Sequence, residues 1–162
     1  MTNDDAVAAP VIACPGSGAG VPDAEGPVHP YVVSAPGCWS RDGTLVAELQ
    51  AEPSTARTRG LATDAYGVQH PTSPDRRNRQ SVAVHLVSLH LILDHHAQAT
   101  DVPRLRARLI EKHRARGFPW LEPPADRGAV TVADVAATPL PLALVRRDAT
   151  VRYDVRTASV FA

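Results

Sequence analysis

The residue types with the greatest capacity for chemistry in this sequence are its seven histidines and two cysteines. Cys14 lies in the segment CPGSG, a tight turn that can present a thiolate together with backbone amides. Zinc sites often carry a second cysteine three residues after the first, because both sulfurs then reach one tetrahedral ion. Here that position holds Ser17, whose hydroxyl is a poor zinc ligand. A zinc site built on this turn therefore needs ligands from elsewhere in the chain.

His70 and His85 are the histidines best suited to supply those ligands. His70 ends a helical segment, and a short connection can bring it beside the start of the next helix. On that helix His85 shares a face with Ser81 and Ser88, which makes a narrow polar stripe on an otherwise apolar surface. A buried imidazole must find partners for both ring nitrogens. Either a structural hydrogen bond to a nearby hydroxyl or carbonyl, or a metal ion, meets that need.

The candidate metal ligands are thus Cys14, His70 and His85, with zinc as the candidate metal. A three-ligand site with water in the fourth position is typical of catalytic zinc, whereas a fourth protein ligand is typical of structural zinc. Asp64 and Gln69 are candidates for orienting a ligating imidazole, although Asp64 equally suits a helix start. The additional candidate ligands or neighbours of the site are Cys38, Ser17, Asp64, Tyr66, Gln69 and Ser81.

Other residues of the same types have simpler interpretations. His90 and Asp94 are four residues apart on a helix, which predicts a pair on its surface. His95 and His96 follow near the helix end, where a cation suits the helix dipole. Trp39 is predicted to anchor the N-terminal arm in the core.

The elements that must position these residues are mainly helical. Residues 80–98 are apolar on almost every side, which is typical of a central helix. Residues 1–37 are rich in proline and glycine and form an irregular arm. We expect a small helical bundle around the central helix, with residues 1–10 as a flexible N-terminus and 11–162 as one helical domain. The further predicted elements are helices at 38–50, 61–70 and 101–116, a polar connection at 76–79, a short helix begun by a Thr131–Asp134 capping box, and a segment at 142–161 that suits helix or strand but is taken as helix.

Composition excludes several classes of protein. The chain has 17 basic and 17 acidic residues, whereas a nucleic-acid or membrane-surface binder usually has a basic excess. No stretch approaches the ~18 apolar residues of a membrane helix, and no secretory signal is visible. Two cysteines far apart in the sequence do not make a disulfide framework. We therefore expect a cytoplasmic protein with no membrane partner, for which nucleic-acid binding is unfavoured and the true partners are unknown.

Four segments stand in this order along the chain: HPYVVSAPGCW (29–39), DAYGVQHP (64–71), QSVAVHL (80–86) and TVADV (131–135). In these segments the sequence resembles an uncharacterised bacterial family of unknown function that is frequent in actinobacteria. The resemblance covers roughly residues 11–137 and implies a Cys-Cys-His-His type of metal site, because the N-terminal turn of that family is usually C-x-x-C. Carried over to this chain, the site falls on Cys14, His70 and His85, with Ser17 in place of the second cysteine.

Three functions remain open from the sequence. The first is a zinc site that joins the N-terminal turn to two helices. The second is a metal-dependent hydrolase or transferase at the same site, in which Tyr66 or Asp64 assists proton transfer. The third is a metal-free interaction module that uses the basic face of residues 104–116, where six basic residues lie close to only Asp101 and Glu111 as acids.

Overall fold

The computed structural model describes residues 9–51, 55–118, 120 and 130–138. The predicted segment at 142–161 and most of the predicted flexible N-terminus lie outside the described residues. The remaining elements are a small antiparallel sheet and five helices. In chain order they are β1 (Val11–Ala13), β2 (Gly20–Pro22), α1 (Pro36–Ala51), α2 (Ala56–Gln69), α3 (Arg76–Leu93), α4 (Val102–His113) and α5 (Val132–Ala136).

The predicted class, a mainly helical bundle, is confirmed. Helix α2 packs against α1, α3 and α5, and α3 packs against both α2 and α4. The core between them is aliphatic, with Leu45, Leu49, Leu89 and Ile92 at most 2% exposed. Trp39 is partly buried against this core, as predicted. Among the described residues, no helix is both long enough and apolar enough to cross a membrane.

The N-terminal arm is more regular than its proline and glycine content predicts. Strand β1 pairs with β2, so that Ile12 lies opposite Val21. The connection between them is the CPGSG turn, in which the amide of Gly18 donates to the carbonyl of Cys14 over 2.8 Å. Gly18 has a φ of 76°, a left-handed conformation that glycine adopts without strain. The arm therefore holds Cys14 in a defined turn.

Helix α3 begins one turn before its predicted start, so the prediction of a polar connection at residues 76–79 was wrong. The side chain of Asp75 accepts hydrogen bonds from the amides of Arg77 and Asn78, which caps the helix at that point. The helix ends at Leu93 rather than near residue 98, and His96 beyond it has a left-handed φ of 52°. Apolar periodicity missed the start because the polar side chain of Asp75 sets it.

The two helices that follow α3 differ in how well they match the sequence prediction. Helix α5 begins with the predicted capping box between Thr131 and Asp134. Helix α4 has the predicted bounds within a few residues, but few of its apolar side chains are buried. Val102 is buried, whereas Leu109 is 37% exposed to solvent among the described residues.

Candidate metal centre

Two thiols and one imidazole meet in the buried space between the N-terminal arm and the helices. The Sγ atom of Cys14 lies 3.5 Å from Nε2 of His70, and the Sγ atom of Cys38 lies 3.4 Å from the same nitrogen. The three ligand atoms all lie within 4.8 Å of one another. None of the three residues is more than 2% exposed. Among the described residues this is the group of cysteine, histidine and acidic side chains that is close enough to hold a metal ion.

Three separate elements bring these side chains together. Cys14 lies in the arm after β1, Cys38 in the first turn of α1, and His70 directly after α2, which Pro71 prevents from continuing. Glycine allows the arm to approach so closely. A methyl group at Gly16 would overlap the carbonyl oxygen of Val33 and the ring of His70. The segment CPGSG therefore packs directly onto the imidazole.

The protonation of His70 follows from its hydrogen bond to α2. Its Nδ1 atom lies 2.8 Å from the carbonyl oxygen of Tyr66, and a carbonyl oxygen only accepts. Nδ1 therefore carries a proton, and Nε2 is the ring nitrogen that faces the two sulfurs. A hydrogen bond of this kind is the usual way in which proteins orient a metal-binding histidine.

The two thiols hold one negative charge between them. Hydrogen bonds from Cys38, from His70 and from the backbone amide of Ala35 lower the pKa of Cys14, although burial opposes this. The hydrogen bond to Cys14 and burial raise the pKa of Cys38. The pair is thus a thiolate and a thiol side by side. A divalent cation would balance the thiolate and displace the remaining thiol proton.

Ser17 occupies the position at which a second cysteine of the turn was considered. Its Oγ atom lies 3.9 Å from the Sγ atom of Cys38 and accepts a hydrogen bond from the amide of Ala19 over 3.3 Å. Ser17 is 6% exposed, so its hydroxyl belongs to the buried surroundings of the centre. In a C-x-x-C turn, the second cysteine would supply the fourth zinc ligand. In this chain a serine hydroxyl takes its place.

His85 is not part of the three-residue group. Its Nδ1 atom lies 2.8 Å from Oδ1 of Asp64, and its ring lies against the backbone of Gly67. Asp64 therefore orients His85 rather than His70. The next polar residue of this face of α3 also has hydrogen-bond partners. Ser88 donates to the carbonyl of Val84 and accepts from Arg106. Ser81, in the turn before His85, is half-buried.

The other predicted neighbours of the site have different roles. Tyr66 stacks on His70 with ring centroids 4.0 Å apart, and Trp39 lies 5.6 Å from Tyr66. Gln69 accepts a hydrogen bond from the amide of Val132 over 3.0 Å, which ties α2 to α5. The ring of His29 lies 4.8 Å from Trp39. Tyr66 therefore covers one face of the His70 imidazole, and Trp39 and His29 pack around Tyr66.

The histidines at the end of α3 lie on the surface, as the sequence predicted for the first of them. His90 and Asp94 form an exposed pair with 2.6 Å between Nδ1 and Oδ2. His95 is also exposed and approaches His90 within 3.0 Å.

Comparison with known proteins gives a family and no activity. A model described as a family of unknown function, DUF5946, matches residues 12–156. The chain belongs to DUF5946. A search of curated proteins and a search of solved structures each found no match. The expectation of an uncharacterised family is confirmed, and the chemistry of this DUF5946 protein has to be inferred from its own residues.

Proposed function

We propose that this DUF5946 protein binds one zinc ion through Cys14, Cys38 and His70. Zinc bound at ~2.3 Å to sulfur and ~2.0–2.1 Å to nitrogen, with tetrahedral angles, separates the two ligand atoms by about 3.5 Å. The two sulfur–nitrogen distances here are 3.5 and 3.4 Å. This agreement is the observation that carries the proposal. Two sulfurs and an imidazole also form a donor set that suits zinc better than magnesium or calcium.

The role that the contacts favour for the ion is structural. Its three ligands come from the arm, from α1 and from the end of α2, so one ion would fasten the arm to both helices. The ligands are at most 2% exposed, which leaves little access for a substrate. Ser17 or a water molecule would take the fourth position. A site of this kind requires reduced thiols, which agrees with the cytoplasmic location that we propose.

Metal-dependent hydrolysis at the same centre is less well supported. Of the two residues considered for proton transfer, Asp64 is engaged with His85. Burial raises the pKa of Tyr66, so its hydroxyl is poorly suited to act as a base. The ring of Tyr66 also stacks on His70, with Trp39 packed against Tyr66.

Metal analysis of protein purified without a histidine tag tests the proposal. We expect about one equivalent of zinc in the natural chain, and a loss of most of it in Cys38→Ser and His70→Ala. His85→Ala is the matched control. Because His85 is hydrogen-bonded to Asp64, its substitution should leave the zinc content unchanged. Less than about a tenth of an equivalent of zinc in the natural chain, or equal losses in all three variants, would overturn the proposal.

A further inference from the structure

Four arginines line a pocket that contains none of the proposed zinc ligands. The pocket has a volume of about 400 Å³ and lies between the first turn of α3 and the C-terminal end of α4. The residues that matter for its chemistry are Arg76, Arg79, Ile110, Arg114, Arg116 and Phe118.

Local structure explains why the arginines converge. The Asp75 cap begins α3 one residue before Arg76, and Arg79 is three residues further on the same helix face. After α4, Gly117 has a φ of 70°, a left-handed conformation that turns the chain. Arg116 and Phe118 on either side of that turn both line the pocket. The site therefore combines two helices and a turn rather than one charged helix face.

Within the described part of the chain, few acidic side chains offset this positive charge. Arg114 pairs with Glu111 over 3.1 Å at the surface. Within the described ranges, Arg76, Arg79 and Arg116 make no ion pair with an acidic residue. Like charges gathered in one pocket repel one another, and a ligand with several negative charges relieves that repulsion.

We propose that this pocket binds a small molecule that carries a diphosphate or triphosphate chain. Guanidinium groups bind phosphate through two hydrogen bonds each, and several of them match a ligand with successive phosphates. The volume of about 400 Å³ lies within the range of small-molecule sites. Ile110 and Phe118 add an apolar wall that suits the organic part of such a molecule. The convergence into a pocket, in a chain whose charges sum to zero, favours a small ligand over a nucleic acid.

Titration calorimetry with ATP and with inorganic tripolyphosphate tests this proposal. We expect both to bind, with ATP tighter if Ile110 and Phe118 contact its organic part and equal affinity if the phosphate chain makes all the contacts. Arg79→Gln and Arg116→Gln should each weaken binding by about tenfold, and binding should weaken as salt is raised. Arg104→Gln is the matched control, because Arg104 lies on α4 but pairs with Asp101 instead of lining the pocket.

The zinc content of the variants separates this proposal from the preceding one, since none of these arginines belongs to the proposed zinc-binding group. We expect zinc content and circular dichroism to remain unchanged in all three variants. The proposal is overturned if neither phosphate compound binds at millimolar concentration, or if Arg104→Gln weakens binding as much as Arg79→Gln. It is equally overturned if a duplex RNA oligonucleotide binds and neither compound competes with it.

Discussion

At the scale of single residues, the proposed centre depends on one hydrogen bond that selects a tautomer. The bond from Nδ1 of His70 to the carbonyl of Tyr66 leaves Nε2 free to face both sulfurs. The thiolate of Cys14 is supported in turn by the thiol of Cys38 and by the amide of Ala35, 3.4 Å from the sulfur. The site is therefore arranged for a cation before any cation binds.

Replacement of Ser17 by cysteine should strengthen zinc binding. The new sulfur would occupy the place of an oxygen that is 3.9 Å from the Sγ atom of Cys38, and thiolate is a far better zinc ligand than a hydroxyl. We expect Ser17→Cys to raise zinc affinity by about tenfold or more, measured by competition with a coloured chelator. Ser40→Cys, an exposed position on α1, controls for the added thiol. Equal affinities in the natural chain and Ser17→Cys would show that the fourth position lies elsewhere.

The buried carboxyl of Asp42 should make the free energy of unfolding fall as the pH rises. Burial raises its pKa from 3.8 to about 6, and its Oδ1 atom has no hydrogen-bond partner. A raised folded-state pKa adds stability that is fully present below pH 3.8 and is lost as the pH rises through about 6. Asp42→Asn removes this titration. Relative to the natural chain, the variant should therefore gain about 2 kcal/mol of unfolding free energy between pH 4 and pH 7.

Urea unfolding at several pH values measures this difference. Glu48→Gln, an exposed carboxyl on the same helix, is the matched control. A difference between Asp42→Asn and the natural chain that stays constant from pH 4 to pH 7 would contradict the role assigned to Asp42.

The sequence predicted two members of the three-residue group and missed the role of the third. Cys14 and His70 stand out because of a glycine-containing turn and a proline that ends a helix. The sequence makes Cys38 no more than an additional candidate ligand. Nothing in the spacing alone shows that the first turn of α1 faces the CPGSG turn. His85 was favoured instead, and its pairing with Asp64 depends on the packing of α2 against α3. Contacts between elements are the information that residue types and spacing lack.

At the scale of elements, helix α2 connects the centre to the rest of the bundle. It carries His70 at its end, and its close contact with α3 depends on Gly67. A methyl group at that position would lie 2.7 Å from both Cγ and Nε2 of His85. The glycine therefore allows α2 and α3 to approach each other while Asp64 holds His85 between them.

Gly67→Ala should destabilise the protein, and Gly60→Ala on the same helix should not. The first forces His85 away from α2, which we expect to cost about 1–3 kcal/mol. A methyl group at Gly60 meets no atom within 4 Å, so the usual gain of about 0.5–1 kcal/mol for alanine in a helix applies there. Chemical denaturation of both variants measures the two effects. Equal changes in both variants would contradict the close packing of α2 on α3.

Most helices were predictable from the sequence, but their ends were less so. Apolar periodicity and the prolines indicated α1, α2 and α4, and the spacing of Thr131 and Asp134 indicated α5. The start of α3 was missed because the Asp75 cap lies before a run of polar residues that apolar periodicity does not register. The strands β1 and β2 were missed because three-residue strands leave no periodic pattern.

At the scale of the whole molecule, the proposed zinc ion connects parts of the chain that local structure alone does not join. The arm is held by the short β1–β2 ladder, by Val21 buried in the core and by a hydrogen bond from Arg41 to the carbonyl of Gly20. It also meets the helices where Cys14 approaches Cys38 and His70. Metal binding and the order of the arm should therefore be coupled.

Hydrogen exchange with and without a chelator tests this coupling. Removal of zinc should speed exchange of the Cys14 and Gly18 amides, whose hydrogen bonds hold the turn, by about tenfold or more. Amides in the middle of α3 and α4 should exchange at nearly the same rate in both samples. Unchanged exchange in the arm after complete zinc removal would contradict the fastening role.

X-ray absorption at the zinc edge is the most direct test of the account. We expect two sulfur ligands at ~2.3 Å and nitrogen or oxygen ligands at ~2.0–2.1 Å around one zinc ion. Cys38→Ser should lower the sulfur count from two to one if any zinc is retained. A coordination shell of nitrogen and oxygen alone in the natural chain would contradict the assignment of Cys14, Cys38 and His70 as the zinc ligands.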